Sequence, residues 1–310
     1  TPTGGGQVTY HESKALKDCS KECTIWSAKD FNRYRDSVWS DDHAAALLAS
    51  NARYEYSPYK LCHIYAGTWG QTVQELKLQN AKITYTAAAH DITESKKEHE
   101  SLGVPFDYPH LTEPDLLQRY LSGYLASDHL IVPSLHSREV MRGFGCHQPI
   151  TVIPHGYDHP DSLDASPAER KFTVGYLGAV GPDKGLRYLL SAWKLLNYKD
   201  GSTLVFAGVH SVNPWFHELV ANVLGERLDL VIEVDNVEKP NKMNKLLVMT
   251  KSGVKVLFLG WVEDISDFYN SIDVYVQPSV TEGFGIEVLE AMAFGVPVVC
   301  STGAGAVDLV

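Results

Sequence analysis

Short runs rich in β-branched and aromatic residues recur along the chain, and most are separated by stretches with helical periodicity. The runs fall at residues 24–26, 61–65, 83–86, 130–132, 151–153, 173–177, 204–207, 254–259, 274–277 and 298–300. Between them, Leu186, Leu189, Leu190, Trp193 and Leu196 repeat at the spacing of one helical face. Leu116, Leu117, Tyr120, Leu121, Tyr124 and Leu125 do the same behind Thr112, an N-cap with Asp115 three residues on. Strand–helix alternation of this length predicts a doubly wound α/β fold. Several runs are apolar on both faces, as a parallel sheet covered by helices requires. The stretch 210–252 is too long for one crossover and reads as an insertion.

At 310 residues the chain has room for two domains. The aperiodic stretch 158–171, rich in Asp, Pro, Ser, Ala and Glu, marks the boundary between residues 1–160 and residues 171–310. With 44% hydrophobic residues, disorder and a disulfide-stapled miniprotein are excluded. No window reaches the roughly 18 uninterrupted apolar residues of a membrane-spanning helix; peripheral membrane contact stays open. A net charge of -11 lacks the surplus of cations that nucleic-acid binding needs. The five cysteines are odd in number and scattered, which favours free thiols, a reducing compartment and a cytoplasmic location. The chain opens on Thr1 without an initiator Met and stops at Val310 just after a helix start, so it reads as truncated at both ends.

The strongest local signal is PSVTEGFGIEVLEAMAFGVPVV, residues 278–299. A strand runs into a turn made of Glu282, Gly283, Phe284 and Gly285, and a helix follows that stops at Gly295 with Pro297 beyond. The glycines admit a ligand close to backbone N–H groups, and the helix N-terminus behind them favours phosphate. Glu282 and Glu290 frame the turn. Carboxylates accept hydrogen bonds from sugar hydroxyls rather than bind phosphate. An anion-binding helix end between two such acceptors fits a molecule with both parts, a sugar nucleotide.

This segment resembles the retaining group 1 (family four) glycosyltransferases, which have the GT-B fold of two facing Rossmann-like domains. Their signature of two Glu with seven residues between them, inside an EGFG…LEAMA…G.PV phrase, is met by Glu282 and Glu290. Residues 173–185 (TVGYLGAVGPDKG), 204–208, 256–260, 126–134 (ASDHLIVPS) and 152–158 (VIPHGYD) are similar to other parts of the family. The resemblance implies a C-terminal nucleotide-sugar donor domain and an N-terminal acceptor-side domain. It implies that Glu290 holds the ribose hydroxyls, that Glu282 and the amides of Gly283–Gly285 hold the donor sugar, and that Lys184 neutralises the diphosphate. Gly5 and Gly6 of the Gly4–Gly6 turn and His90 at a strand end would then lie near donor phosphate and reacting sugar. Glu282, Lys184 and His90 form the implied catalytic set. Gly283, Phe284, Gly285, Glu290, Arg187, Gly5 and Gly6, again with Lys184, form the donor-binding set.

One departure stands out. The family usually has Arg directly after the loop glycine, as a second diphosphate cation, but Gly178 is followed by Ala179. Arg187, three residues beyond Lys184, is the candidate substitute. The implied activity is retaining transfer of a sugar from a nucleotide-diphosphate sugar to a glycan, a lipid-linked or a small-molecule acceptor. No cofactor or metal is expected, since the sequence has no Asp-x-Asp motif. A sugar-nucleotide epimerase of the same fold and a non-catalytic sugar-nucleotide-binding protein remain as alternatives. A dehydrogenase is disfavoured by the lack of a G-x-G-x-x-G with an acidic residue downstream.

Overall fold

The computed structural model describes residues 61–65, 73–74, 77–78, 80–87, 89, 91–106, 114–157, 171–196, 201–208, 214–224, 229–232, 246–249, 255–262 and 264–310. Two compact units emerge: the first takes in Thr1–Ala89 and Asp107–His155, the second His90–Phe106 and Gly156–Val310. The expected strand at 24–26 and the Thr112 cap lie outside the described residues.

The first unit is built on a parallel sheet of β1 (Leu61–Tyr65), β2 (Lys82–Thr86), β3 (His129–Val132) and β4 (Ile150–Val152), side by side in that order. Between β2 and β3 the chain forms α1 (Ile92–Leu102) and α2 (Pro114–Ala126), and α3 (Leu135–Gly143) joins β3 to β4. Pro114 sits at the first helical position, where a missing N–H costs nothing. Ser134 caps α3 by accepting from the Ser137 N–H at 3.0 Å. Ile83 and Tyr85 alternate into a core with Leu130, Val132 and Met141, and Tyr85 meets Tyr124 edge-on at 4.7 Å. Although α1 follows β2 in sequence, it groups with the second unit, where a buried ion pair described below holds it.

The second unit runs β5 (Thr173–Leu177), a 3-10 turn (Pro182–Lys184), α4 (Leu186–Leu196), β6 (Thr203–Ala207) and α5 (Pro214–Leu224). It continues with β7 (Asp229–Ile232), β8 (Leu246–Met249), β9 (Lys255–Gly260), α6 (Ile265–Asn270), β10 (Val274–Gln277), α7 (Ile286–Ala293) and β11 (Val298–Cys300). The strands lie in the order β11-β10-β5-β6-β9-β8-β7. Those from β11 to β9 are parallel, and β8 and β7 add antiparallel at the edge. Alternation serves two cores. Val174, Tyr176, Leu204, Phe206, Val256 and Phe258 face α4 and α5, while Val205 and Ala207 face Phe268, Tyr275 and Val288 on the other side.

The insertion read in residues 210–252 supplies the crossover helix α5 and the antiparallel pair β7–β8. Those two strands are not in the sequence-based set, because short apolar runs beside a helix do not announce a strand. Among the described residues no helix is long and apolar enough to cross a membrane. Cys62, Cys146 and Cys300 are free thiols, whereas Cys19 and Cys23 lie outside the described residues.

Candidate functional site

Three neighbouring strands, β5, β6 and β9, each run out into glycine: Gly178, Gly208 and Gly260. The Gly178 N–H donates to the Ala207 carbonyl at 2.9 Å, and the Gly208 N–H donates to the Gly260 carbonyl at 2.7 Å. The Tyr176 hydroxyl donates to the Ala179 carbonyl at 2.7 Å and fixes the loop that follows β5. The closed-up edge is the carboxyl side of the sheet, where open α/β folds bind ligands. From it the chain enters the 3-10 turn, which Gly185 ends at φ +65°. A Cβ at Gly185 would stand 2.0 Å from the Pro278 carbonyl oxygen. Glycine there lets the turn lie against the end of β10 and brings Lys184 to the loop beyond it.

That loop is pinned by its backbone. The Val280 N–H donates to the Asp183 carbonyl at 2.8 Å, the Glu282 N–H to Gly303 at 2.9 Å, and the Gly305 N–H to Glu282 at 3.0 Å. Gly285, at φ +91°, then opens α7. Within this frame the Lys184 ammonium hydrogen-bonds the Glu282 carboxylate and lies 3.7 Å from that of Asp183. Burial opposes the charge on Lys184, but Glu282, Asp183 and Glu287 outweigh it and raise its pKa above the ordinary lysine range. One turn inside α7, Glu290 is 7% exposed and accepts from the Tyr269 hydroxyl at 2.8 Å. Burial raises its pKa, and the tyrosine bond opposes the rise. The same hydroxyl reaches the Glu287 carbonyl at 3.2 Å. Burial and the nearby Glu282 carboxylate push the Glu287 carboxyl up to about 7.

The fold therefore joins Lys184 to Glu282 at the ends of β5 and β10, with Gly283 and Gly285 in the same turn and Glu290 on the helix that the turn opens. Phe284 belongs there by backbone only. Its ring is 4% exposed, packed with Tyr275, Val288 and Phe294, and its carbonyl accepts from the Ala306 N–H at 2.7 Å. An aromatic in this turn anchors the turn to the core rather than lining a ligand site.

Arg187 also departs from its expected role. Gly185 breaks the helix between it and Lys184, so the two do not share a helical face. Its guanidinium turns to α1 instead, with Nη2 2.9 Å from Glu98 Oε2 and Nη1 2.8 Å from Ser101 Oγ. Nε approaches Glu98 Oε1 to 2.6 Å without the alignment of a hydrogen bond. Glu98 is 5% exposed, and burial pushes its pKa up against the opposing pull of Arg187. A buried carboxylate needs such a partner, which commits the arginine to structure. Gly5, Gly6 and His90 lie outside the described residues. Beside His90, the Asp91 N–H donates to Thr281 Oγ1 at 3.0 Å, next to Glu282, and the Asp91 carboxylate caps α1.

Glu287 is the residue that sequence reasoning passed over. The middle glutamate of EGFGIEVLE carries no family signature, and only its place in the first turn of a glycine-opened helix signals a ligand-side position.

Residues 161–310 match the family described as glycosyl transferases group 1. A lipopolysaccharide core biosynthesis mannosyltransferase from Rhizobium leguminosarum is 30% identical over 52% of this chain and 43% of its own. A capsular polysaccharide biosynthesis glycosyltransferase from Staphylococcus aureus is 28% identical over 45% of this chain and 30% of its own. The chain thus spans less than half the length of either relative. Mannosylfructose-phosphate synthase of Agrobacterium fabrum is 28% identical over 77% of this chain and 52% of its own. In fold, the chain is similar to Anabaena HepE, solved with UDP and glucose (TM-score 0.54, 20% identity, 89% of this chain and 68% of that one). It is also similar to sucrose-phosphate synthase from Thermosynechococcus elongatus (TM-score 0.56, 18% identity, 85% of this chain and 61% of that one). The architecture is the pair of Rossmann-like units of the GT-B type, and residues 161–310, in the second unit, carry the likeness to the group 1 glycosyl transferases.

Proposed function

We propose that the second unit binds a nucleotide-diphosphate sugar and that the protein transfers the sugar to an acceptor hydroxyl with its anomeric configuration kept. The observation that carries this reading is the joining of Lys184 to Glu282 at a glycine turn, with Glu290 on the helix the turn opens. In this reading Lys184 meets the donor diphosphate, and Glu282 and the Gly283–Gly285 amides accept and donate to the sugar. Glu290 takes the ribose hydroxyls. The anomeric carbon–oxygen bond to phosphate breaks, the acceptor oxygen bonds to that carbon on the same face, and the acceptor proton passes to the leaving phosphate. Catalysis is then positioning and charge stabilisation rather than covalent attack by a side chain. His90 orients the acceptor. Residues 1–160 serve the acceptor side and 171–310 the donor side. The names of the relatives favour a mannosyl donor and a polysaccharide or lipid-linked glycan acceptor.

The test is calorimetric titration of the folded chain with nucleotide diphosphates and their sugar conjugates. Selective binding is expected, and Glu290→Ala is expected to weaken it by about ten- to a hundredfold, the worth of a charge-assisted hydrogen bond. Equal affinity in that variant removes the ribose role. We further propose that the reaction needs no metal ion: the binding constant and turnover are expected to be unchanged in excess chelator. Activity lost on chelation and restored by a divalent cation would overturn this.

A further inference from the structure

Glu287 lies in the first turn of α7, and its Oε1 stands 3.8 Å from where a Cβ on Gly178 would be, against the loop that follows β5. Among the described residues, the charged groups that act on it are Lys184 on the 3-10 turn, with Asp183 beside that lysine, Glu282 in the glycine turn, and Glu290 on α7 itself. Tyr176 of β5, Tyr275 of β10 and Tyr269 of α6 complete the surround. The three hydroxyls are committed to other acceptors: Tyr176 to Ala179, Tyr275 to Leu177 and Gln277, Tyr269 to Glu290 and the Glu287 backbone. The Lys184 ammonium is already on Glu282. The carboxylates of Asp183, Glu282 and Glu287 thus all act on the Lys184 ammonium, in the place where the proposed donor site seats a doubly charged diphosphate.

We propose that Glu287 is a further donor-binding residue, an acid that takes up one proton from solvent when the diphosphate binds and holds it while the donor is in place. The inference rests on the donor-site reading above. A neutral carboxyl at this position removes one like charge beside the phosphates and supplies an O–H donor in its place. The ordinary titration of this group already sits near neutrality, because burial and Glu282 hold it there, so the proton is taken up at little cost. Linkage fixes the sign: a protein that binds more protons with donor bound than without loses donor affinity as pH rises.

The probe is the nucleotide-diphosphate sugar selected by the panel above, whose own charge is constant from roughly pH 6 to 8.5. Titration calorimetry in two buffers of different ionisation enthalpy counts the protons. The wild-type chain is expected to take up nearly one proton per donor at the alkaline end and few at the acid end. Its affinity should fall about tenfold per pH unit above the Glu287 titration. Glu287→Gln, which keeps the shape and a donor, is expected to bind with no proton uptake and a flat pH profile, tighter than wild type at the alkaline end. Glu287→Ala is expected to be equally flat but weaker than Gln. Undiminished proton uptake in both folded variants overturns the assignment while leaving the donor site standing. No donor binding by the folded wild-type chain at any pH overturns both.

Discussion

Lys184→Ala is expected to lower kcat/KM for the nucleotide-sugar donor by about a hundred- to a thousandfold, equivalent to ~3–4 kcal/mol. The size follows from where the ammonium sits. It is largely buried, raised above the ordinary lysine range, and closes a pair with Glu282 beside Asp183. In the proposed reaction, truncation removes the cation that meets the leaving diphosphate and leaves two or more carboxylates facing an anionic ligand. Because the diphosphate gains charge as the glycosidic bond breaks, part of the loss belongs to the transition state, so kcat falls as well as KM rising. Lys184→Arg, which restores charge on a bulkier head, is expected to recover only part of the activity. The pKa of Lys184 lies above the assay range, so its charge persists up to strongly alkaline pH and contributes no slope near neutrality. Steady-state kinetics on variants that keep the wild-type melting temperature checks the prediction; a loss below about threefold in Lys184→Ala would remove the lysine from the diphosphate site.

Much of this arrangement is legible in the sequence. The segments of β5, β10, β11 and α4 agree to the residue with the sequence pattern, since short β-branched runs and a regular leucine stripe each have one structural solution. Glu282, Glu290 and Lys184 stand out by motif, and Gly185 lets the 3-10 turn lie against the end of β10, so that Lys184 meets Glu282. Three features were hidden. Arg187 looked like a spare phosphate cation because its partner, Glu98, lies far away in sequence and burial is not written in a charge. The Phe284 ring lies in the core, which a signature phrase that offers only its backbone amide does not tell. Glu287 was hidden because its properties come from neighbours on four other elements rather than from its own window. Local pattern reports periodicity and turns, whereas the partner of a charged side chain is set by tertiary contact.

The glycines at the strand ends give the second large effect. Gly208→Ala is expected to destabilise the second unit by about 3 kcal/mol or more, and to depress transfer activity with it. Gly208 adopts φ +133°, outside the range that an L side chain takes readily, and its added Cβ would stand 1.9 Å from the Gly178 carbonyl oxygen. That contact is with backbone, so no rotamer change relieves it. Either β6 withdraws from β5, breaking the 2.9 Å bond from the Gly178 N–H to Ala207, or the Gly178–Ala179 loop moves. The second route displaces the surface on which Glu287 rests and disturbs the approach to Lys184. Gly103→Ala supplies the contrast. It is also in the left-handed region, at φ +65°, but nothing lies within 4 Å of its added Cβ, so it is expected to cost only ~1 kcal/mol. Thermal or urea denaturation of the two variants separates dihedral strain, common to both, from backbone collision, confined to Gly208. Equal losses would mean that the close approach of β5 and β6 does not limit the site, and that the glycines at these strand ends serve conformation alone.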